Sequence, residues 1–186
     1  MPRFIFLIFL LFTKGGSSQE LYKINLVDEN NTSYPLSSIK NNKTSVVIFF
    51  DTDCPLCKNY TLTVNELAKK YKFNNVQFYL IFPDKQTSAS LIKIFRDYYK
   101  LNVITLSDSK HELLKLLKAK VTPEVFVFNS EAALLYSGAI DNWMYETGKK
   151  RKVVTQFYLD DVLSEIIKGK VPKKKRNKAY GCIIEY

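Results

Sequence analysis

The chain of 186 residues holds one histidine, one tryptophan and three cysteines. A single imidazole, His111, argues against His-rich metal sites and against most Ser-His or Cys-His triads. Three cysteines are too few for a disulfide scaffold, and their odd number is itself worth noting. The six glycines form no Gly-rich phosphate loop, so nucleotide binding has no support. Acids are scarce: 18 Asp and Glu stand against 28 Lys and Arg, a net charge of +10. With 46% hydrophobic and 25% charged residues, the composition excludes disordered, collagen-like and low-complexity classes. The length fits one domain with an ordinary core that needs no disulfide framework to fold. Function therefore falls to cysteines, carboxylates and backbone.

Long apolar runs are also scarce. Phe4 to Phe12, preceded by Arg3 and followed by Gly16, Ser17 and Ser18, reads as a secretory signal peptide over residues 1–18. Nine apolar residues in a helix span about 14 Å, against roughly 30 Å of hydrocarbon, too short for an anchor. Cleavage after Ser18 removes Arg3 and Lys14 and leaves a charge of +8. The expected location is extracytoplasmic, where disulfides persist. No stable membrane insertion follows cleavage. Much of the basic excess lies in 149–152 and 168–178 and reads as a solvated basic surface. No aromatic-interleaved basic motif appears, so no nucleic-acid partner is expected.

Val46–Phe50 and Val76–Phe82 are continuous apolar runs, as in buried parallel strands. Tyr22–Val27, Val103–Leu106 and Val125–Phe128 read as further strands, and Ala133–Tyr136 as the return of a hairpin. Ser33 to Leu36 reads as a turn. Helical spacing marks the stretch after Pro55, then Leu91–Tyr99, Leu113–Leu117 and Val154–Ile167. The predicted fold is α/β: a central mixed sheet flanked by helices over 19–169, then an irregular basic tail over 170–186 holding Gly181-Cys182. His111 reads as a surface residue near a helix start, and Trp143 as a core or loop anchor.

Cys54-Pro55-Leu56-Cys57 lies where a buried strand gives way to a helix. Free N–H groups and the helix dipole there stabilise a thiolate on Cys54, while Cys57 lies one turn in and more buried. The expected roles are Cys54 as attacking thiolate and Cys57 as resolving thiol. Zinc needs two more ligands, and Cys182 and His111 stand at no ligand-like spacing. A purely structural disulfide is the other alternative. Two thiolates also suit Cu(I), which leaves a copper-binding protein, or a redox-silent binding module, as competing classes.

The stretch VVIFFDTDCPLCKNY, Val121 to Val127 around Thr122-Pro123, Tyr136 to Asn142, and the closing Gly181-Cys182 resemble the thioredoxin-like superfamily. More narrowly they resemble its secreted redoxin-type (alkyl hydroperoxide reductase/thiol-specific antioxidant-like) branch, over about residues 20–186. The resemblance implies a thioredoxin-like fold with an extra strand and helix over Val103–Leu117. It also implies a cis Pro123 facing the redox pair, and Thr122 holding a substrate chain through its backbone. Pro55 and Leu56 form the dipeptide that tunes the pair and meets substrate. The implied activity is thiol–disulfide exchange with protein thiols or disulfides, served by an upstream redox partner protein and needing no cofactor.

The sequence also departs from that pattern. Ile48 stands where thioredoxins carry a buried acid, which leaves Asp51, Asp53 and Glu124 as proton-transfer candidates. Asp51 and Val47 stand where peroxiredoxins carry threonine and proline, which counts against peroxidase activity. Cys182 is a candidate second resolving thiol; staying free or pairing between chains are its other fates.

Overall fold

In a computed structural model of the chain, residues 16–185 are described. The predicted leader lies outside them, apart from Gly16–Ser18, which open helix α1 (Gly16–Lys23). Two strands form the middle of the molecule, β3 (Thr44–Phe49) and β4 (Val76–Phe82), and β3 is buried along its whole length. They run parallel, and β5 (Ile104–Ser107) continues the parallel set beside β4. On the other side β7 (Glu124–Asn129) pairs antiparallel with β3, and β8 (Leu134–Gly138) turns back along β7. The far edge is the hairpin of β1 (Asn25–Asp28) and β2 (Ser33–Pro35), which joins β5 antiparallel. The sheet order is β2-β1-β5-β4-β3-β7-β8.

Side chains alternate between the two faces of a strand, so a strand buried on both faces must be apolar throughout. Val46, Ile48 and Phe50 point into one core with Cys57, Tyr60 and Val64 of α2 (Pro55–Tyr71), Ile92 and Phe95 of α3 (Ala89–Tyr98), and Leu159 and Leu163 of α5 (Tyr158–Ile167). Val47 and Phe49 point into the other, with Leu21 of α1 and Leu113 and Leu114 of α4 (Glu112–Leu117). The α/β class and mixed sheet are as expected.

Four local expectations are corrected. The strand expected at Tyr22 starts at Asn25, because Leu21 and Ile24 are buried in the second core and α1 runs to Lys23. Ser33–Pro35 is an edge strand rather than a turn, a place where proline's missing N–H is tolerated. The last helix starts at Tyr158, not Val154. The Asn142 side chain accepts the N–H groups of Thr155 (3.0 Å) and Gln156 (3.2 Å), and these residues stay outside the helix. His111 is 3% exposed, not a surface residue. It adopts φ 58° at the mouth of α4 and places Nε2 2.8 Å from the Pro83 carbonyl oxygen.

The tail is not a loose end. Ser137 at the edge of β8 donates its N–H to Lys175 O (3.1 Å) and accepts from Asn177 N–H (2.9 Å). Further on, β11 (Cys182–Ile183) pairs antiparallel with β6 (Val121–Thr122). The lysines of the tail stay exposed, while Pro172 and Ile184 are buried. Between β8 and α5 a short hairpin, β9 (Met144–Glu146) with β10 (Lys149–Lys150), completes the strands.

Candidate active site

Strand β3 ends at Phe49, and five residues later Cys54 caps α2 with extended backbone (φ −69°, ψ 116°). Pro55 follows in the first helical position, where its fixed φ suits the helix and its missing N–H costs nothing. Cys54 is thereby aimed from a helix N-terminus toward the Thr122–Pro123 loop, whose peptide bond is cis. Its Sγ lies 3.4 Å from the Thr122 carbonyl oxygen.

Cys54 is bonded to Cys182, not to Cys57; the two Cα atoms are 6.0 Å apart across a sequence separation of 128. Register explains the contact, since Cys182 stands opposite Thr122 in the β11–β6 ladder. Cys57 is a free, fully buried thiol on the core side of α2. Burial pushes it up to about 12, and the Asp51 charge adds to this. A backbone contact at Asp51 and the Thr122 hydroxyl pull the other way. That hydroxyl is buried and meets no partner in hydrogen-bonding geometry. Both ways of closing Cys54 were legible as residues. Only the tail's path shows which one is made here.

The three candidate acids are placed as follows. The Asp51 carboxylate accepts the Asp53 N–H (2.8 Å) and Glu124 accepts the Lys120 N–H (2.8 Å), while Asp53 is exposed. Each bond ties a loop beside the sulfurs. Pro55 is exposed, and Leu56 is half-buried against the first core. A cleft of about 260 Å³ lined by Asp51, Pro83, Asp84, Thr122 and Ile183–Glu185 opens beside the cis peptide. A larger groove, about 1150 Å³, lies between Asn65, Phe73 and Arg96; it reaches the C-terminal half of α2 and none of the three cysteines lines it.

Two buried carboxylates escaped the sequence reading. Asp141 accepts the Tyr60 hydroxyl (2.5 Å) and the Trp143 N–H (2.8 Å), and Trp143 packs edge-on against the Tyr60 ring. Burial raises its pKa, while the two donors hold it back. This bond ties α2 to the loop after β8. Asp108 accepts the N–H groups of Glu112 (2.9 Å) and Leu114 (2.7 Å), and burial raises it as well. An acid before a helix is a capping signal that could have found Asp108. Nothing local marks Asp141. Among the described residues no three His, Cys, Asp or Glu side chains gather as a metal site.

Solved structures share this architecture. A hypothetical protein from Sinorhizobium meliloti is 22% identical, with a TM-score of 0.77 over 88% of this chain and 90% of that one. An uncharacterized conserved protein from Geobacillus kaustophilus is 21% identical, with a TM-score of 0.78 over 88% of each. A secreted Mycobacterium tuberculosis disulfide oxidoreductase homologous to E. coli DsbE is 16% identical, with a TM-score of 0.55 over 62% of this chain and 82% of that one. These likenesses carry the thioredoxin-like fold. No curated protein matches the chain. The profile of the AhpC/TSA family matches residues 18–137, a stretch that includes Cys54, Cys57 and the cis-proline loop. By that match and by its fold, the chain belongs to the AhpC/TSA family of thioredoxin-like redoxins.

Proposed function

We propose that the protein is a secreted thiol–disulfide oxidoreductase that exchanges disulfides with protein substrates through Cys54. The observation that carries this reading is the position of Cys54. It caps α2 beside a cis X-Pro loop and its sulfur is already engaged in a disulfide, with a third thiol in the same first turn. Family membership supports thiol redox chemistry in general. Cys54, released as a thiolate, is stabilised by the α2 N-terminus and attacks a substrate disulfide. The mixed disulfide is opened by Cys182, or by Cys57 from the core side. Burial keeps Cys57 protonated, so Cys182 is the readier of the two. Thr122 and Pro123 align the substrate chain, Pro55 and Leu56 border it, and Asp51 or Glu124 sits close enough to the loops to relay protons. An upstream redox partner protein resets the pair. The leader over residues 1–18 delivers the mature chain, residues 19–186, out of the cytoplasm. Among the described residues no helix is long and apolar enough to cross a membrane.

The test is differential alkylation and mass spectrometry of the mature protein across a glutathione titration. A Cys54 disulfide that opens and closes reversibly supports the reading, whichever thiol is its partner. A Cys54 sulfur that never changes state across the titration rejects it.

A further inference from the structure

The tail meets the site in a particular way. β6 stands outside the seven-stranded sheet, and β11 is the strand that pairs with it. Cys182 lies opposite Thr122, Ile183 opposite Val121, and the Ile184 N–H donates to Lys120 O (3.0 Å), extending the ladder. The strand is two residues long, and its second side chain, Ile183, is 80% exposed. An extended segment is thus laid antiparallel on the cis-proline strand, with its own cysteine bonded to the helix-cap sulfur. A client segment in a mixed disulfide with Cys54 could make the same pairing that the tail here makes within one chain.

Gly181 adds a restriction. A Cβ at that position would lie 2.2 Å from the Thr122 carbonyl oxygen and 2.7 Å from its carbon. Both are backbone atoms of the loop that faces Cys54, so neither can swing aside as a flexible side chain could. Whatever segment takes this register needs glycine just before its cysteine. Cys54 is 2% exposed with the tail in place, so a client strand and the tail cannot hold the site together.

We propose that β11 holds the place of the client strand, and that the site accepts an extended polypeptide whose reacting cysteine follows a glycine. The proposal rests on the thiol–disulfide reading above and names its substrate class. Fraying of the two-residue strand exposes Cys54 Sγ. A client thiolate attacks that sulfur, the Cys54–Cys182 bond breaks, and its electron pair leaves on Cys182, which takes a proton from water. The client strand pairs with β6 in place of β11. A second client thiolate then attacks the client sulfur of the mixed disulfide, and Cys54 leaves as a thiolate. The client dithiol loses two electrons, and the Cys54–Cys182 pair gains them. In reverse, a client disulfide is reduced and the tail bond reforms.

The test uses the full mature chain carrying Cys57→Ser and Cys182→Ser, so that Cys54 is the one thiol. Two peptides are offered as disulfides with thionitrobenzoate: a copy of residues 178–185, and the same peptide with alanine before its cysteine. Released thionitrobenzoate reports the rate. The glycine peptide should react about ten- to a hundredfold faster than the alanine peptide, the range expected for one methyl forced against backbone. Adding Gly181→Val, which ejects the tail, should speed the glycine peptide severalfold further. Equal rates for the two peptides, or peptide rates unchanged by Gly181→Val, overturn the proposal. Free dithiobis(nitrobenzoate) separates the two readings. If it labels Cys54 while the peptides do not discriminate, the oxidoreductase reading stands and the glycine rule falls. If neither reagent nor peptide reaches Cys54, both fall. Should the Gly181→Val protein not fold, the peptide pair alone decides.

Discussion

At the scale of single residues, the three sulfurs differ in what they meet: Cys54 and Cys182 are bonded to each other, and Cys57 is a free thiol. Cys57 is only three positions from Cys54, yet it is sealed in the core and protonated up to about 12. Its folded pKa exceeds the ordinary value of 9.0, so the folded state keeps a proton that the unfolded state releases. Stability from this group is complete below pH 9 and is lost as pH rises toward 12. Urea unfolding under reducing conditions should show the wild type losing up to about 1.4 kcal/mol per pH unit relative to Cys57→Ala across that window. Asp141 makes the complementary case for a carboxylate. Tyr60→Phe removes its short hydroxyl bond and should cost about 1.5–3 kcal/mol at neutral pH, the range for a hydrogen bond to a charged group. The loss should shrink as pH falls and Asp141 protonates, since a neutral carboxyl needs the donor less. Unfolding curves at pH 7 and at pH 4 check both the size and the sign.

At the scale of elements, the decisive one is the tail. Sequence shows a run of lysines, and a lysine-rich segment after a helix is normally solvated. The side chains are indeed exposed, but the backbone is docked at Ser137 and again at Val121–Thr122. Two close approaches allow it. Gly138, at φ 137°, would place a Cβ 2.2 Å from Asn177 O, and Gly181 meets Thr122 in the same way. Gly138→Ala therefore breaks the first latch through both backbone strain and contact. It should cost about 1–3 kcal/mol and open the basic segment 173–176 to trypsin, read as faster cleavage there than in the wild type. Helix α2 shows the opposite case. Pro55, the apolar spacing of Tyr60, Val64 and Leu67, and the preceding buried strand are local signals, and the helix begins where they place it.

For the whole molecule, the Cys54–Cys182 bond closes a loop across a sequence separation of 128. Cross-linking over such a distance restricts the unfolded chain most strongly, by as much as about 4–5 kcal/mol for loops of this order. Reduction should lower the stability of the wild type toward that of reduced Cys182→Ser, while a Cys57→Ser, Cys182→Ser variant, which has no second thiol, should be indifferent to reductant. Paired urea titrations with and without dithiothreitol measure the difference. The same bond couples redox state to shape: oxidised, the tail strand is fastened to β6, and reduced, only backbone pairing and the buried Ile184 hold it.

The amino-acid order by itself determined the parallel strands, the helix that follows Pro55, the α/β class and the place of Cys54 at the start of that helix. Each depends on neighbours a few positions apart: apolar runs, a 3.6-residue period, a proline at a helix start. The hairpin edge at Ser33–Pro35, the burial of His111, the Tyr60–Asp141 bond and the partner of Cys54 depend on contacts between distant segments. Local periodicity carries no information about those contacts. For Cys54 the choice was between a thiol one helical turn away and another 128 residues on. Helix geometry sealed the near thiol in the core, and the pairing of β11 with β6 brought the far one within bonding distance, so tertiary structure decided which sulfur it meets.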